Sequence, residues 1–145
     1  MTRAYLAFTE KGLALAQKLA SALPGTVARC GHGGPGLADW AAEQFAHGDA
    51  LIFVGAVGIA VRAIAPHCRS KAVDPAVVVL DECGHFAVPI LSGHLGGAND
   101  LARALAAVCG AVPVITTATD ANGVFAVDAW ARHQNCAVLE PERIK

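Results

Sequence analysis

The chain has 145 residues, of which 54% are hydrophobic and 16% are charged, and its formal net charge is −1. This composition excludes an intrinsically disordered chain, and a charge near zero argues against partners such as nucleic acid or a membrane surface. The longest apolar run, residues 50–61, is shorter than the ~20 residues that span a bilayer, and the apolar run near the N-terminus is too short for a signal peptide.

Five cysteines are spread along the chain with no Cys-x-x-Cys pair: Cys30, Cys68, Cys83, Cys109 and Cys136. An odd number at wide spacing is not typical of a disulfide framework or a structural zinc site. We therefore expect small, reduced, apolar side chains and a cytoplasmic protein.

Strands and helices alternate along the first third of the chain. Residues 4–8, 26–30 and 50–54 have the composition of strands, and 50–54 lacks polar alternation, which predicts burial on both faces. Thr9 is a predicted N-cap for the helix after the first strand, and residues 37–46 form the next predicted helix.

The same alternation continues to the end of the chain. The later predicted elements are a helix over 58–65, strands over 76–80 and 86–91 that pair back on each other, a helix over 101–108, a strand over 112–115, a helix over 124–133 and a strand over 137–139. This order predicts an α/β fold with three layers, α/β/α, and a mainly parallel sheet. We expect a core domain over 1–120 and a C-terminal helix with its connecting segment over 121–145.

Four loops contain the polar clusters of the chain: residues 55–58, 81–84, 92–99 and 116–120. Each follows a predicted strand or opens the element after it. Because ligands in open α/β sheets bind outside the carboxyl ends of the strands, we expect the four loops to converge on one site. The loop 92–99 also contains three glycines, which indicates a close approach of the backbone to a ligand or another segment.

Three residues in these loops are candidates for acid–base chemistry. His94 lies between glycines at a predicted helix start, where N–H groups can hold an anion, although a structural histidine is an equal alternative. Asp81 and Glu82 are adjacent carboxylates at a strand end. Alternation points them to opposite sides, so only one faces the predicted site; solvated charge is the default interpretation and a general base is the alternative.

Polar residues around the same predicted mouth are candidates for substrate binding. Arg62 interrupts an apolar helix and needs a carboxylate partner, and Lys71 and Asp74 are spaced to lie near it. Ser92 lacks the Gly-x-Ser-x-Gly context of a nucleophile elbow, which favours a hydrogen-bonding or capping role.

Residues 31–36 fit the pattern Gly-x-Gly-x-x-Gly between a strand and a helix. A dinucleotide site requires this turn after the first strand, with an acidic residue at the end of the next strand. Here it follows the second predicted strand, and Asp49 precedes the next one. A Gly-rich connection is therefore favoured. The remaining histidines show no spacing of metal ligands.

Five segments together resemble one family. In chain order they are GIAVRAIAP (58–66), KxxDPAVVV (71–79), DExG (81–84), LSGHxGGAN (91–99) and PVITTATD (113–120). This series is similar to the CbiG-type cobalamin biosynthesis proteins, the cobalt-precorrin-5A hydrolases, and it covers about half of the chain densely.

The resemblance implies an enzyme of the oxygen-independent route to vitamin B12. Such an enzyme opens the δ-lactone of cobalt-precorrin-5A and releases the former C20 bridge carbon with its methyl group as acetaldehyde, giving cobalt-precorrin-5B. Cobalt arrives within the substrate, so no cofactor and no metal site are expected. The chemistry needs an activated water, an oxyanion site and a proton donor.

On this resemblance we assign Glu82 or Asp81 as base, His94 as acid or orienting group, and N–H groups near Gly96 and Gly97 as oxyanion donors. The expected substrate-binding residues are Arg62, Lys71, Asp74, Ser92, Gly93, Gly96, Gly97, Asn99, Thr116, Thr117 and Asp120.

Members of this family commonly continue into a C-terminal domain. The resemblance implies a cobalt-corrinoid substrate as partner, together with either a separate C-terminal domain or pathway methyltransferases. The alternative function is a non-catalytic module that binds or carries the corrinoid intermediate. A nucleotide-binding domain using residues 31–36 ranks last.

Overall fold

The structure, a computed structural model, describes residues 1–118. The chain divides into two units, Met1–Val114 and Ile115–Lys145, and every helix and strand given below belongs to the first. The helix predicted over 124–133, the strand predicted over 137–139 and the domain boundary predicted after residue 120 lie outside the described residues.

The first unit contains the predicted series of strands and helices. In chain order they are β1 Arg3–Ala7, α1 Glu10–Ala22, β2 Thr26–Arg29, α2 Leu37–His47, β3 Ala50–Val54, α3 Val57–Ile64, a short 3₁₀ turn Ala65–His67, β4 Ala76–Leu80, β5 Phe86–Leu91, α4 Ala98–Cys109 and β6 Val112–Pro113. Each predicted element within residues 1–114 is present.

The six strands form one sheet in the order β2-β1-β3-β4-β5-β6. Neighbouring strands are parallel except β4 and β5, which are antiparallel. We call the edge where β1 to β4 begin the amino edge and the edge where they end the carboxyl edge. The predicted α/β fold with a mainly parallel sheet is confirmed.

Helices cover both faces of this sheet, α1 beside α4 and α2 beside α3. Every residue of β3 and β4 is buried, as expected for strands between two helical layers. On the α2–α3 face, Leu6, Phe53 and Val79 join one core cluster. The Trp40 ring meets the Phe53 ring edge-on with centroids 5.3 Å apart. The predicted three layers are therefore present.

Local capping explains where two helices begin. The Thr9 hydroxyl accepts a hydrogen bond of 3.0 Å from the Gly12 N–H, which confirms the predicted N-cap of α1. Gly97 has a left-handed backbone with φ of 82°, and α4 begins at the next residue. This turn, which glycine adopts without strain, starts α4 three residues before the predicted position.

Candidate functional site

The direction of β5 separates the predicted catalytic residues. In the antiparallel pair, Leu91 at the end of β5 lies opposite Val77 near the start of β4. The loop 92–97 therefore lies at the amino edge, while residues 81–85 turn at the carboxyl edge. Because β4 has five residues, its ends are about 13 Å apart. The expectation that loops 81–84 and 92–99 meet at one edge is wrong.

Two of the predicted loops do share the carboxyl edge. Residues 55–58 follow β3 and residues 81–84 follow β4, and the Gly55 N–H donates to the Leu80 carbonyl oxygen at 2.8 Å. These loops match the prediction because β3 and β4 are parallel neighbours.

Asp81 shapes the turn between β4 and β5. One carboxylate oxygen accepts hydrogen bonds from the N–H groups of His85 at 2.9 Å and Phe86 at 2.7 Å. The other accepts from the Cys83 N–H at 3.2 Å. A carboxylate with three backbone donors is already engaged by the fold, so the geometry supports a structural role for Asp81.

Glu82 points to a different partner at the same edge. Its carboxylate accepts a hydrogen bond of 3.1 Å from the Thr9 hydroxyl, the N-cap of α1. Asp81 and Glu82 therefore differ in environment, although both lie in the turn after β4 and not in a strand. Glu82 remains a partly exposed carboxylate at the carboxyl edge, separated from His94 by the length of β4.

The amino edge contains the three buried polar or charged residues of the part of the chain that the structure describes. Asp74, Ser92 and Asn99 are 8%, 7% and 4% exposed. The Ser92 hydroxyl donates to the Asp74 backbone carbonyl at 3.0 Å. Buried polar groups require such partners, so this cluster fixes the loop after β5 to the start of β4.

Asp74 also organises the segment that leads into β4. Its carboxylate accepts from the Arg69 N–H at 3.1 and 3.0 Å, and the Asp74 N–H donates to the Ser70 carbonyl. Burial, and secondarily the nearby Asp74 charge, raises the pKa of the Cys68 thiol. That thiol donates to the Ile64 carbonyl at 3.4 Å.

The loop 92–97 has an unusually constrained backbone. Ser92 is left-handed with φ of 59°, which is uncommon for a residue other than glycine. A Cβ on Gly96 would overlap the Cβ of Ser92 and lie 2.9 Å from its carbonyl oxygen. Residues in such uncommon backbone conformations are often found at functional sites. The loop 92–97 is therefore the strongest candidate for a binding or catalytic site.

The predicted oxyanion donors are largely engaged within this loop. The Ala98 and Asn99 N–H groups donate to the Ser92 and Gly93 carbonyls, each at 3.0 Å, and the Gly97 N–H donates to the His94 carbonyl at 3.3 Å. These backbone N–H groups, which the sequence suggested as donors to an oxyanion, are therefore used by hydrogen bonds within the loop. The bond from the Gly97 N–H is the longest of the three.

An open groove of about 350 Å³ lies beside Asp74, between α2 and the segment before β4. Its lining residues are Ala42, Phe45, Ala46, Pro66, His67, Cys68, Arg69, Val73, Asp74 and Pro75. The rings of Phe45 and His67 lie with centroids 5.8 Å apart. Sequence reasoning missed His67 and Arg69. Pro66 could have indicated them. A proline there predicts the end of the α3 segment, so the residues that follow it lie in the connection at the amino edge.

The other predicted site residues are distributed as follows. Lys71 is partly exposed in the segment before β4, His94 is partly exposed at the loop tip, and Arg62 is exposed in the last turn of α3. Thr116 and Thr117 belong to the second unit, and Asp120 lies outside the described residues.

Within residues 1–118, no three His, Cys, Asp or Glu side chains are grouped so that they could hold a metal ion. In the same part of the chain no helix has the length and apolar character needed to cross a membrane.

The chain matches a known protein family over more than half of its length. The family model described as "Cobalamin synthesis G N-terminal" matches residues 39–120, more than half of the sequence. The chain belongs to this family. Its matched region contains α3, the Asp74 segment, the Asp81 turn and the loop 92–97.

Two proteins named cobalt-precorrin-5A hydrolase are similar to the chain over part of their length. The cobalt-precorrin-5A hydrolase of Salmonella typhimurium is 47% identical over 149 aligned positions, which cover 94% of this chain and 41% of that protein. The protein of the same name from Priestia megaterium is 48% identical over 82 positions, or 57% of this chain and 22% of its own length.

Among solved structures, a protein from Sulfolobus solfataricus described as a cobalamin biosynthesis protein G homolog has the same fold. The TM-score is 0.67 at 24% identity, over 99% of this chain and 43% of that chain. The chain thus spans less than half the length of the relatives it matches.

Proposed function

We propose that this chain forms the N-terminal part of a cobalt-precorrin-5A hydrolase, which opens the δ-lactone and releases acetaldehyde to give cobalt-precorrin-5B. The observation that supports this most is the 47% identity to the Salmonella protein of that name over 94% of the chain. In this proposal cobalt belongs to the substrate and no cofactor is used. The four free cysteines of the described residues suit a reducing cytoplasm.

We place the reacting centre at the amino edge, around His94. The loop that presents His94 is anchored on both sides by buried Ser92 and Asn99 and has a left-handed serine backbone. An imidazole can act as general acid for the leaving lactone oxygen or as general base for water. A rigid loop keeps this group in place during the reaction.

Glu82 does not belong to this proposed centre. It lies at the opposite edge with Thr9, and a general base must come within hydrogen-bond reach of the same reacting atoms as its partner. We therefore propose His94 without Glu82 or Asp81, which changes the assignment made from the sequence alone.

The substrate carries several carboxylates at its periphery, and cations at the amino edge suit them. Lys71 and Arg69 lie in the segment that borders the groove and leads into β4. Guanidinium and ammonium groups bind carboxylates by charge-assisted hydrogen bonds. Thr116, Thr117 and Asp120 remain predicted substrate-binding residues, and the C-terminal part of the relatives is the proposed partner that completes the site.

The test uses cobalt-precorrin-5A and measures acetaldehyde through NADH oxidation by alcohol dehydrogenase. We expect His94→Gln to lower turnover by about a hundredfold or more, because acid–base groups typically contribute that much. Glu82→Gln and the matched control His85→Gln should each stay within about threefold of the parent rate, since neither lies at the amino edge. Thermal melting of each variant controls for folding.

The outcomes separate the proposals. Loss of activity in Glu82→Gln with full activity in His94→Gln would place the chemistry at the carboxyl edge. Corrinoid binding by the chain without acetaldehyde, measured by absorbance titration, would support the carrier module. Full activity only after adding the C-terminal part of a relative would support a site completed by that part.

A further inference from the structure

A lysine and a cysteine from distant parts of the chain meet at the carboxyl edge, outside the proposed reacting centre. The Lys11 ammonium in the first turn of α1 donates to the Cys83 sulfur in the β4–β5 turn at 3.0 Å. The two residues are 72 positions apart in sequence, and both are exposed. The contact therefore joins two separate elements and is open to small reactants.

The surroundings hold this pair together. The Glu82 carboxylate, adjacent to Cys83, binds the Thr9 hydroxyl two positions before Lys11. The Cys83 N–H is fixed by Asp81 at 3.2 Å. The hydrogen bond with Cys83, with added attraction from Glu82 and Asp81, raises the pKa of the Lys11 amine.

We propose that Lys11 and Cys83 form a covalent nitrogen–oxygen–sulfur bridge when the protein meets hydrogen peroxide. A single oxygen atom can link an amine nitrogen and a thiol sulfur that start at hydrogen-bond distance. An exposed thiol is the side chain that peroxide oxidises first, to a sulfenic acid. The neighbouring amine then captures that oxygen as oxidation continues.

The overall reaction balances with peroxide as the named oxidant. One thiol, one ammonium and two peroxide molecules give one S–O–N bridge, three water molecules and one proton, which passes to solvent. The S–H bond and two N–H bonds break, the first of these when the ammonium deprotonates, and the S–O and O–N bonds form. The four electrons that leave the sulfur and nitrogen reduce the two peroxide O–O bonds. Two dithiol molecules, each oxidised to its disulfide, supply four electrons, restore both side chains and release the bridging oxygen as water.

The experiment treats the full chain with hydrogen peroxide and measures intact mass and tryptic peptides. We expect a mass gain of one oxygen atom less two hydrogen atoms, reversed by dithiothreitol. The bridge blocks cleavage at Lys11, so peptide 4–18 should be found joined to peptide 72–103, in which Cys83 is the only cysteine. The melting temperature should rise, because the bridge closes a long loop.

Matched variants identify the residues involved. Lys11→Arg keeps the positive charge but removes the reacting amine, and Cys83→Ser removes the sulfur, so each should abolish the joined peptide. Lys18→Arg and Cys68→Ser replace another exposed lysine and cysteine, and each should still give the joined peptide, heavier in Lys18→Arg only by the substitution itself. Oxidation of Cys83 to sulfinic or sulfonic acid without a joined peptide, or peptide 72–103 still joined to residues 4–11 in Lys11→Arg, would overturn the proposal.

Discussion

At the scale of single residues, the loop after β5 depends on one close contact. Ser92 takes a left-handed backbone, and its side chain faces Gly96 so closely that no Cβ fits there. The same serine holds the Asp74 carbonyl through its hydroxyl. The position of His94 therefore depends on the absence of a methyl group two residues later.

Replacing this glycine should test the contact. Gly96→Ala should lower the free energy of unfolding by about 2 kcal/mol, because the added methyl group overpacks against Ser92. Urea denaturation measures the change. Gly58→Ala is the matched control, since a Cβ there meets nothing within 4 Å in helix α3, and it should be neutral or slightly stabilising. An equal loss in both variants would contradict the role of the contact.

Asp49 provides a pH dependence at the same scale. Its carboxylate accepts from the Thr2 N–H at 2.8 Å and the Thr2 hydroxyl at 3.1 Å, and these bonds lower the pKa of Asp49. A lowered folded-state pKa stabilises the protein above the unfolded value near 3.9, and this stabilisation is lost as pH falls through the folded value.

We therefore expect the stability of the parent protein to fall more steeply than that of Asp49→Asn as pH decreases from about 5 to about 2. Melting temperatures over a pH series measure the two slopes. Thr2→Val, which keeps the backbone donor and removes the hydroxyl, should give an intermediate slope. Identical slopes in the parent and Asp49→Asn would show that these hydrogen bonds do not persist in solution.

At the scale of elements, the turn between β4 and β5 decides where the later loops lie. Parallel strands need a connection of a dozen or more residues, and only five residues separate Leu80 from Phe86. The sequence therefore predicted that β5 pairs back on β4, and the same short connection implies that the loop after β5 lies at the opposite edge. The expectation that all four loops converge on one edge did not take this into account. In a hairpin the second strand runs back, so the loop after β5 lies at the edge where β4 begins.

The Asp81 carboxylate should stabilise this turn more than Glu82 does. Asp81→Ala removes the acceptor of three backbone N–H groups and should cost about 2 kcal/mol of unfolding free energy in urea denaturation. Asp81→Asn should recover part of this, because one amide oxygen can still serve two of the donors. Glu82→Gln should change stability by less than about 0.5 kcal/mol. A larger effect at Glu82 than at Asp81 would argue against this role.

At the scale of the whole molecule, the layered fold followed from local patterns alone. Apolar runs such as residues 50–54 and 76–80 predicted buried strands, and both are fully buried. The buried cluster of Asp74, Ser92 and Asn99 was not predictable as a cluster. It depends on a contact across 18 positions between Ser92 and Asp74, which no local pattern encodes.

The first unit should fold by itself. Residues 1–114 contain all the strands and helices described above, with their pairing complete as far as the Val114 N–H, which donates to the Ala87 carbonyl. We expect this fragment to unfold in urea in one cooperative transition, followed by circular dichroism and tryptophan fluorescence together. The full chain is the control. A gradual change without a transition would show that the fragment lacks a stable core.

Because β5 runs antiparallel to β4, the Asp81 turn and the loop 92–97 are close in sequence but far apart in the structure, and substitutions in one should not affect the other. Asp81 and Ser92 are eleven positions apart but lie at opposite ends of a rigid strand pair. Substitutions at sites farther apart than about 10 Å usually add without coupling. One end of the molecule can therefore be redesigned for robustness while the other is varied for ligand preference, with little trade-off between the two.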